Sequence, residues 1–226
     1  GLFSKKVKEL DSGLRVTIDS TDTLVESYRK LETSRLFGLI KRRSTEFEAA
    51  DAETADPVVN AVGEIQASVV DMASIIGVGS DAFADFSYQF QVSLKGLSEE
   101  EALAAIQKEF LGISDAMADL VPQLEDFRIE GETTTQTLAR LSGDLSTVNS
   151  AFSNLGRPAL SASAAAAAAA SRLISAAGGQ GAFTSKTQTL VSNVLDPSEQ
   201  LDFYQKKLVQ DSQFGYVTSE QEVKRI

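Results

Sequence analysis

Between Thr133 and Leu155 the large apolar residues fall at Leu138, Leu141, Leu145, Val148, Phe152 and Leu155. Steps of three and four alternate without a slip, the heptad spacing of one narrow apolar stripe on a helix. Such a stripe requires a partner helix, in the same chain or in another copy. The flanking positions Ser142, Asp144, Asn149 and Ala151 carry no charge code that would select one. Two further stretches repeat the spacing. Val58, Val62, Ile65, Val69, Met72 and Ile76 predict a helix that starts at Pro57, with Asp56 as N-cap, and stops at Gly77-Val78-Gly79. Leu103, Ile106, Phe110, Ile113, Met117 and Leu120 predict another, opened by Ser98-Glu99-Glu100-Glu101 and closed by Pro122. The opening is a capping box, in which the Ser98 hydroxyl and the Glu101 carboxylate satisfy each other's backbone N–H groups.

Elsewhere the period changes to two. Phe86, Tyr88, Phe90, Val92 and Leu94 alternate with Ser87, Gln89, Gln91 and Ser93, which predicts a strand with one buried face. Leu14, Val16 and Ile18 alternate in the same way after Ser12-Gly13, and Thr21-Asp22 reads as a turn. Leu24–Leu31 and Leu36–Phe47 are also β-capable, so residues 1–48 form a β-rich segment. The triplet Lys41-Arg42-Arg43 fits an edge strand guarded by charge, or a contact with an acidic partner. Glu48–Pro57 reads as a connector.

After Gly156-Arg157-Pro158 the chain turns to Ala, Ser and Gly. Seven alanines, Ala164–Ala170, favour helix by propensity while burying little surface. Gly178, Gly179 and Gly181 are expected to break it. The longest uncharged run there, Pro158–Ser171, is short and weakly apolar for a membrane span. Phe183–Leu195 suits helix or strand, and Ser198–Gln210 reads as an amphipathic helix with Leu201, Tyr204 and Leu208 on one side. The expected organisation is therefore α+β: a β-rich segment (1–48), an α+β core with heptad helices (49–156), an Ala/Gly/Ser-rich segment (157–185) and a helical tail module (186–226).

Composition narrows the chemistry. The chain has no Cys, His or Trp, which removes disulfides, thiolate or imidazole metal ligands, and nucleophiles that depend on them. Its net charge of −11 is uneven: +4 over residues 1–43, −15 over 44–130 and zero over 131–226. The acidic middle opposes nucleic-acid binding. No Glu pair is set against a sugar-binding aromatic pattern, and Glu99–Glu101 is explained by capping. Gly77-Val78-Gly79 lacks the third glycine and preceding strand of a dinucleotide site, and no calcium-loop pattern occurs. No catalytic, cofactor or metal residue can be named. No secretory signal is visible at the start, while Gly1 in place of Met and the charged run Glu220–Arg225 suggest a piece of a longer protein.

The opening GLFSKKVKELDSGLRV, the run to STEFEA and the helix TTTQTLARLSGDLSTVNSAFSNLG resemble the C-terminal part of tail tape measure proteins of long-tailed phages (siphoviruses) and prophages. The likeness covers roughly residues 1–155. FTSKTQTLVSNVLDPSEQLDFYQKKLVQDSQFGYVTSEQEV resembles the module that often follows in those proteins. The resemblance implies a structural virion protein, made in the host cytoplasm and placed in the tail tube lumen at the tip. There it would set tail length, nucleate tip assembly and plug the tube until genome ejection. It also implies a homotrimer whose heptad helices close a coiled-coil-like bundle, with Leu103–Leu120 and Leu138–Leu155 as seams. The partners it implies are the tail hub and tip proteins, the distal tail protein and the tube protein, with the host envelope membrane met during ejection. No cofactor and no sequence-specific nucleic acid are expected. A murein-degrading or membrane-active segment, the latter using residues 158–185, is the alternative.

Overall fold

The computed structural model describes residues 6–19, 22–35 and 40–194, with Ser198 and Gln205 as isolated positions. The fold is α+β, an N-terminal antiparallel sheet followed by helices. Two compact units emerge, Gly1–Arg140 and Leu141–Ile226. The predicted helix 198–210 and the terminal charged run lie outside the described residues, as do Thr21, Leu36 and Gly38.

In the first unit, β1 (Lys6–Ile18), β2 (Thr23–Arg35), β3 (Ile40–Ala49) and β4 (Tyr88–Ser93) form one sheet in the order β3-β2-β1-β4. Alternation decides which face is dry. Leu14, Val16 and Ile18 of β1 stand beside Val25 of β2 and Phe90 and Val92 of β4 on one face, and all six are buried. At about 1.5–3 kcal/mol for each fully buried aliphatic side chain, this face dominates the sheet's stability. Exposed ion pairs such as Arg29–Glu48 contribute at most about 1 kcal/mol each. A register shift between Glu9 and Asp11 marks a bulge in β1, before the buried alternation begins.

Helix α1 (Ala52–Ile75) packs against β2, helix α2 (Glu99–Ala118) packs against β4, and the two helices pack on each other. Helix α1 starts earlier than its sequence predicts. Asp51 is the N-cap: its carboxylate accepts from the Thr54 N–H at 2.9 Å, and its backbone carbonyl accepts from Thr54 and Ala55. Pro57 therefore lies inside the helix, and Asp56 is not the cap. An early proline leaves only the Glu53 carbonyl without its i+4 donor, and Glu53 is exposed to water. Helix α2 opens on the expected capping box, with Ser98 N–H to Glu101 at 2.8 Å and Glu101 N–H to Ser98 Oγ at 3.3 Å. Its end precedes a 3-10 segment, Pro122–Phe127, which buries Leu124. Phe86 lies just before β4 rather than in it, yet is buried, with its ring stacked on Tyr88.

Helix α3 (Thr134–Asn154) begins in the first unit and runs into the second. Thr133 caps it through a second reciprocal pair: Thr133 Oγ1 accepts from the Gln136 N–H, and Gln136 Oε1 accepts from the Thr133 N–H. In the second unit α3 continues to α4 (Ala164–Ala177) and α5 (Gln180–Val194), which pack on each other. The Asn149 side chain both accepts from the Leu160 N–H at 2.7 Å and donates to the Leu160 carbonyl, pinning the link between α3 and α4. The alanine run is helical from its Ser163 cap and stops at Gly178, where φ is +97°. Only a residue without Cβ adopts that conformation freely. Gly181 does not break the chain, contrary to expectation; it lies within α5, which also settles Phe183–Val194 as helix.

Gly13 is the tightest point of the sheet. A Cβ built there meets the Val92 carbonyl oxygen at 1.9 Å, so β4 approaches β1 only because position 13 is bare. Gly13→Val is expected to lower stability by about 1–3 kcal/mol, the usual range for overpacking. The urea midpoint checks this; an unchanged midpoint would mean that β4 yields without loss.

Candidate interaction surfaces

The three heptad stripes meet different fates. On α3, Leu138, Leu141, Leu145 and Val148 are all at most 1% exposed in the single chain, while Phe152 and Leu155 are half-buried. On α2 the stripe divides: Ile113 and Met117 are buried, Ile106 and Phe110 half-buried, and Leu103 and Leu120 exposed. On α1, Val58, Val62, Val69 and Ile76 are buried. The even spacing on α3 thus serves core burial within one chain. A seam between copies cannot use those four leucine and valine side chains while the chain stays folded in this way. Leu111 on α2, off the stripe, is the most open large aliphatic at 68%.

Phe110 of the α2 stripe borders a groove in the first unit, with room for about 370 Å³. Ile65 and Met72 of α1 and Phe110 of α2 give it apolar walls, and Glu64, Ser68, Ser114 and Thr135 its polar points. Among the described residues the Thr135 hydroxyl has no hydrogen-bond partner, although the Thr135 N–H donates to Asp115 at 3.0 Å. Ile106 and Leu103 lie one and two turns before Phe110 on the same face by helical spacing.

The start of α3 is fixed by a clasp. Glu132 receives Arg140 Nε at 2.7 Å and its Nη2 at 2.9 Å, and the same Nη2 donates to the Phe127 carbonyl at 2.8 Å. The fork of the guanidinium matches a carboxylate in a way that a lysine would not. Thr137 adds a donor to Glu132 at 3.0 Å. Together these bonds, led by Arg140, hold the Glu132 carboxyl at about 2, below its ordinary 4.5.

The sheet face away from α1 and α2 carries a second network. Asp11 accepts from Ser93 Oγ, from Tyr28 Oη at 2.9 Å and from Lys30 Nζ at 3.1 Å. Ser93 leads the causes that lower the Asp11 carboxyl to about 2. Tyr28 is buried opposite the bare Gly13, and Phe47 beside it lies under the Arg15 guanidinium at 3.6 Å. Arg15 also donates from Nε to Glu26 at 2.8 Å. The heptad argument missed this face because Asp11 and Ser93 are brought together only by strand pairing. Its one sequence signal was Gly13 amid the β1 alternation.

Among the described residues, no group of three or more Asp or Glu side chains is placed to hold a metal ion. No described helix is long and apolar enough to cross a membrane. Comparison with protein-family models, curated proteins and solved structures returns no match to this chain.

Two expectations follow. Leu145→Ala should cost about 2–5 kcal/mol, as for a buried leucine, while Leu111→Ala should leave stability nearly unchanged. Equal denaturant midpoints for the two would place the α3 stripe outside the core. The second concerns acid. Glu132 and Asp11 have folded values depressed below 4.5 and 3.8, so their contribution is present above those values and lost as pH falls towards 2. Glu132→Gln should be less stable at neutral pH yet lose less stability between pH 4.5 and 2 than the unaltered chain. Parallel pH profiles of the denaturant midpoint would remove Glu132 from the acid response.

Proposed function

We propose that this chain is a structural segment of a phage tail tape measure protein, from the C-terminal region held in the tube lumen at the tail tip. The observation that carries the reading is the divided α2 stripe. Its inner half completes the core, while Leu103 on α2 and Leu120 just past its end remain open, as does Leu111 off the stripe, on a surface that a larger assembly can cover. Open aliphatics on the helix that walls an apolar groove support docking rather than turnover. On this reading the partners are the hub and tip proteins, the distal tail protein, the tube protein and further copies of the chain. A threefold bundle, where the tail imposes one, has Leu103, Ile106 and Phe110 of α2 to close on. The charge of −15 over residues 44–130 keeps this region from adhering to DNA passing through the tube. Tail-length setting, tip nucleation and plugging until ejection are the roles that follow from this position.

Peptide mass spectrometry on gradient-purified phage particles tests it. Peptides from residues 6–194 should appear with the tail hub and tube proteins, and in tail-only particles as well. Their absence from particles that contain those proteins would overturn the assignment.

A further inference from the structure

Strand β3 closes one side of the sheet, and all its described side chains from Lys41 to Ala49 are exposed. The hydrogen bond from the Ala50 N–H to the Val25 carbonyl fixes the parity of the β2–β3 ladder. Even-numbered residues of β3 turn their backbone groups towards β2. The N–H and C=O groups of 41, 43, 45, 47 and 49 therefore point out of the sheet edge, where among the described residues no strand meets them. An edge of this length invites another strand.

The side chains decide which strand. The first half of β3 carries Lys41, Arg42 and Arg43, and the second half carries Glu46 and Glu48. A strand that is basic at one end and acidic at the other is complementary to an antiparallel copy of itself. We propose that β3 pairs with β3 of a second copy about a twofold axis, joining two four-stranded sheets into one.

Geometry restricts the register. A twofold axis normal to a continuous sheet pairs each residue with one of the same face, so the axis passes through a residue rather than between two. Axes at Arg42 or Arg43 oppose arginines, and axes at Glu46 or Phe47 oppose glutamates. An axis at Ser44 avoids this but leaves the strand end unpaired. The axis at Thr45 uses 41–49 end to end. It sets Arg42 opposite Glu48 of the second copy in a close, non-hydrogen-bonded pair. It also sets Ser44 opposite Glu46, and Arg43 opposite Phe47, whose ring already lies under Arg15. Within one chain Lys41 and Arg43 pair with the half-buried Glu32, and Glu48 pairs with the exposed Arg29, all at 3.3–3.5 Å. Among the described residues Arg42 has no ion-pair partner, and the second copy supplies one. These charges admit only the registers centred on Ser44 and Thr45, and the second pairs residues 41–49 throughout.

The test is the solution mass of the whole chain by light scattering over a dilution series, and it does not depend on the tail assignment. The unaltered chain should weigh twice 24.1 kDa. Arg42→Glu opposes two glutamates and should scatter as a single chain; Glu48→Arg opposes two arginines and should do the same. An equimolar mixture of the two variants restores both pairs and should return to twice the chain mass. Circular dichroism identical to that of the unaltered chain confirms that each variant is folded. A single-chain or threefold mass for the unaltered protein would overturn the proposal, as would a folded Arg42→Glu variant that keeps the double mass.

Discussion

The face of β1 that carries Leu14, Val16 and Ile18 has to be dry, and most of the first 140 residues are arranged around that requirement. Its neighbours on either side, Val25 and Phe90, are placed opposite Val16 by strand register alone. Bringing β4 close enough requires the bare backbone of Gly13, because any Cβ there meets Val92. Two amphipathic helices then pack against the sheet and on each other. The order of importance follows the magnitudes. Burial of the aliphatic side chains outweighs the exposed ion pairs on the outer strands several times over.

Polar groups in this chain position elements rather than drive collapse. Asp51, Ser98 and Thr133 each close a helix start by taking orphan N–H groups, and a cap of this kind is worth about 0.5–2 kcal/mol. Glu132 and Arg140 tie the 3-10 segment to α3 across two helical turns. In the second unit, Gln180 at the start of α5 donates to the buried Asp144 of α3 at 2.9 Å. An ionised carboxylate left in that place without a donor would be costly, so this bond fixes where α5 can begin.

How much of this was legible depended on the range of the interaction. The alternation of residues 86–94 and the Ser98 box are local, and both appear as read, with Phe86 just outside the strand. The start of α1 was misplaced because two caps competed; Asp51 reaches Thr54, and a proline one turn further in is tolerated at an exposed helix end. Thr133 and Gln136 formed the same signature as Ser98 and Glu101, so that cap was readable and went unread. The heptad stripe on α3 was plain, but spacing fixes only that a stripe is buried, not by whom. Leu138–Val148 are satisfied in one chain, a fact of topology that no window of 23 residues contains. The Asp11 network joins positions 82 residues apart, and beyond Gly13 the sequence carries no local sign of it.

Apolar burial and charge therefore divide the work of association between them. The second half of α2 and most of the α3 stripe are spent on the interior, so strong hydrophobic association between copies is left with Leu103, Leu111 and their neighbours. The β3 edge offers almost no apolar area, but it offers directional backbone groups and a charge order that reads the same from either copy. Such an edge discriminates by register, since most registers oppose like charges at short range in a strand pair. The helical surface is less selective: Leu103 and Leu111 are few and scattered, and apolar packing by itself fixes no register. A chain built this way holds its own fold with its buried stripes, and on the pairing proposed above it would recognise copies of itself through β3 rather than through the apolar surface of α2.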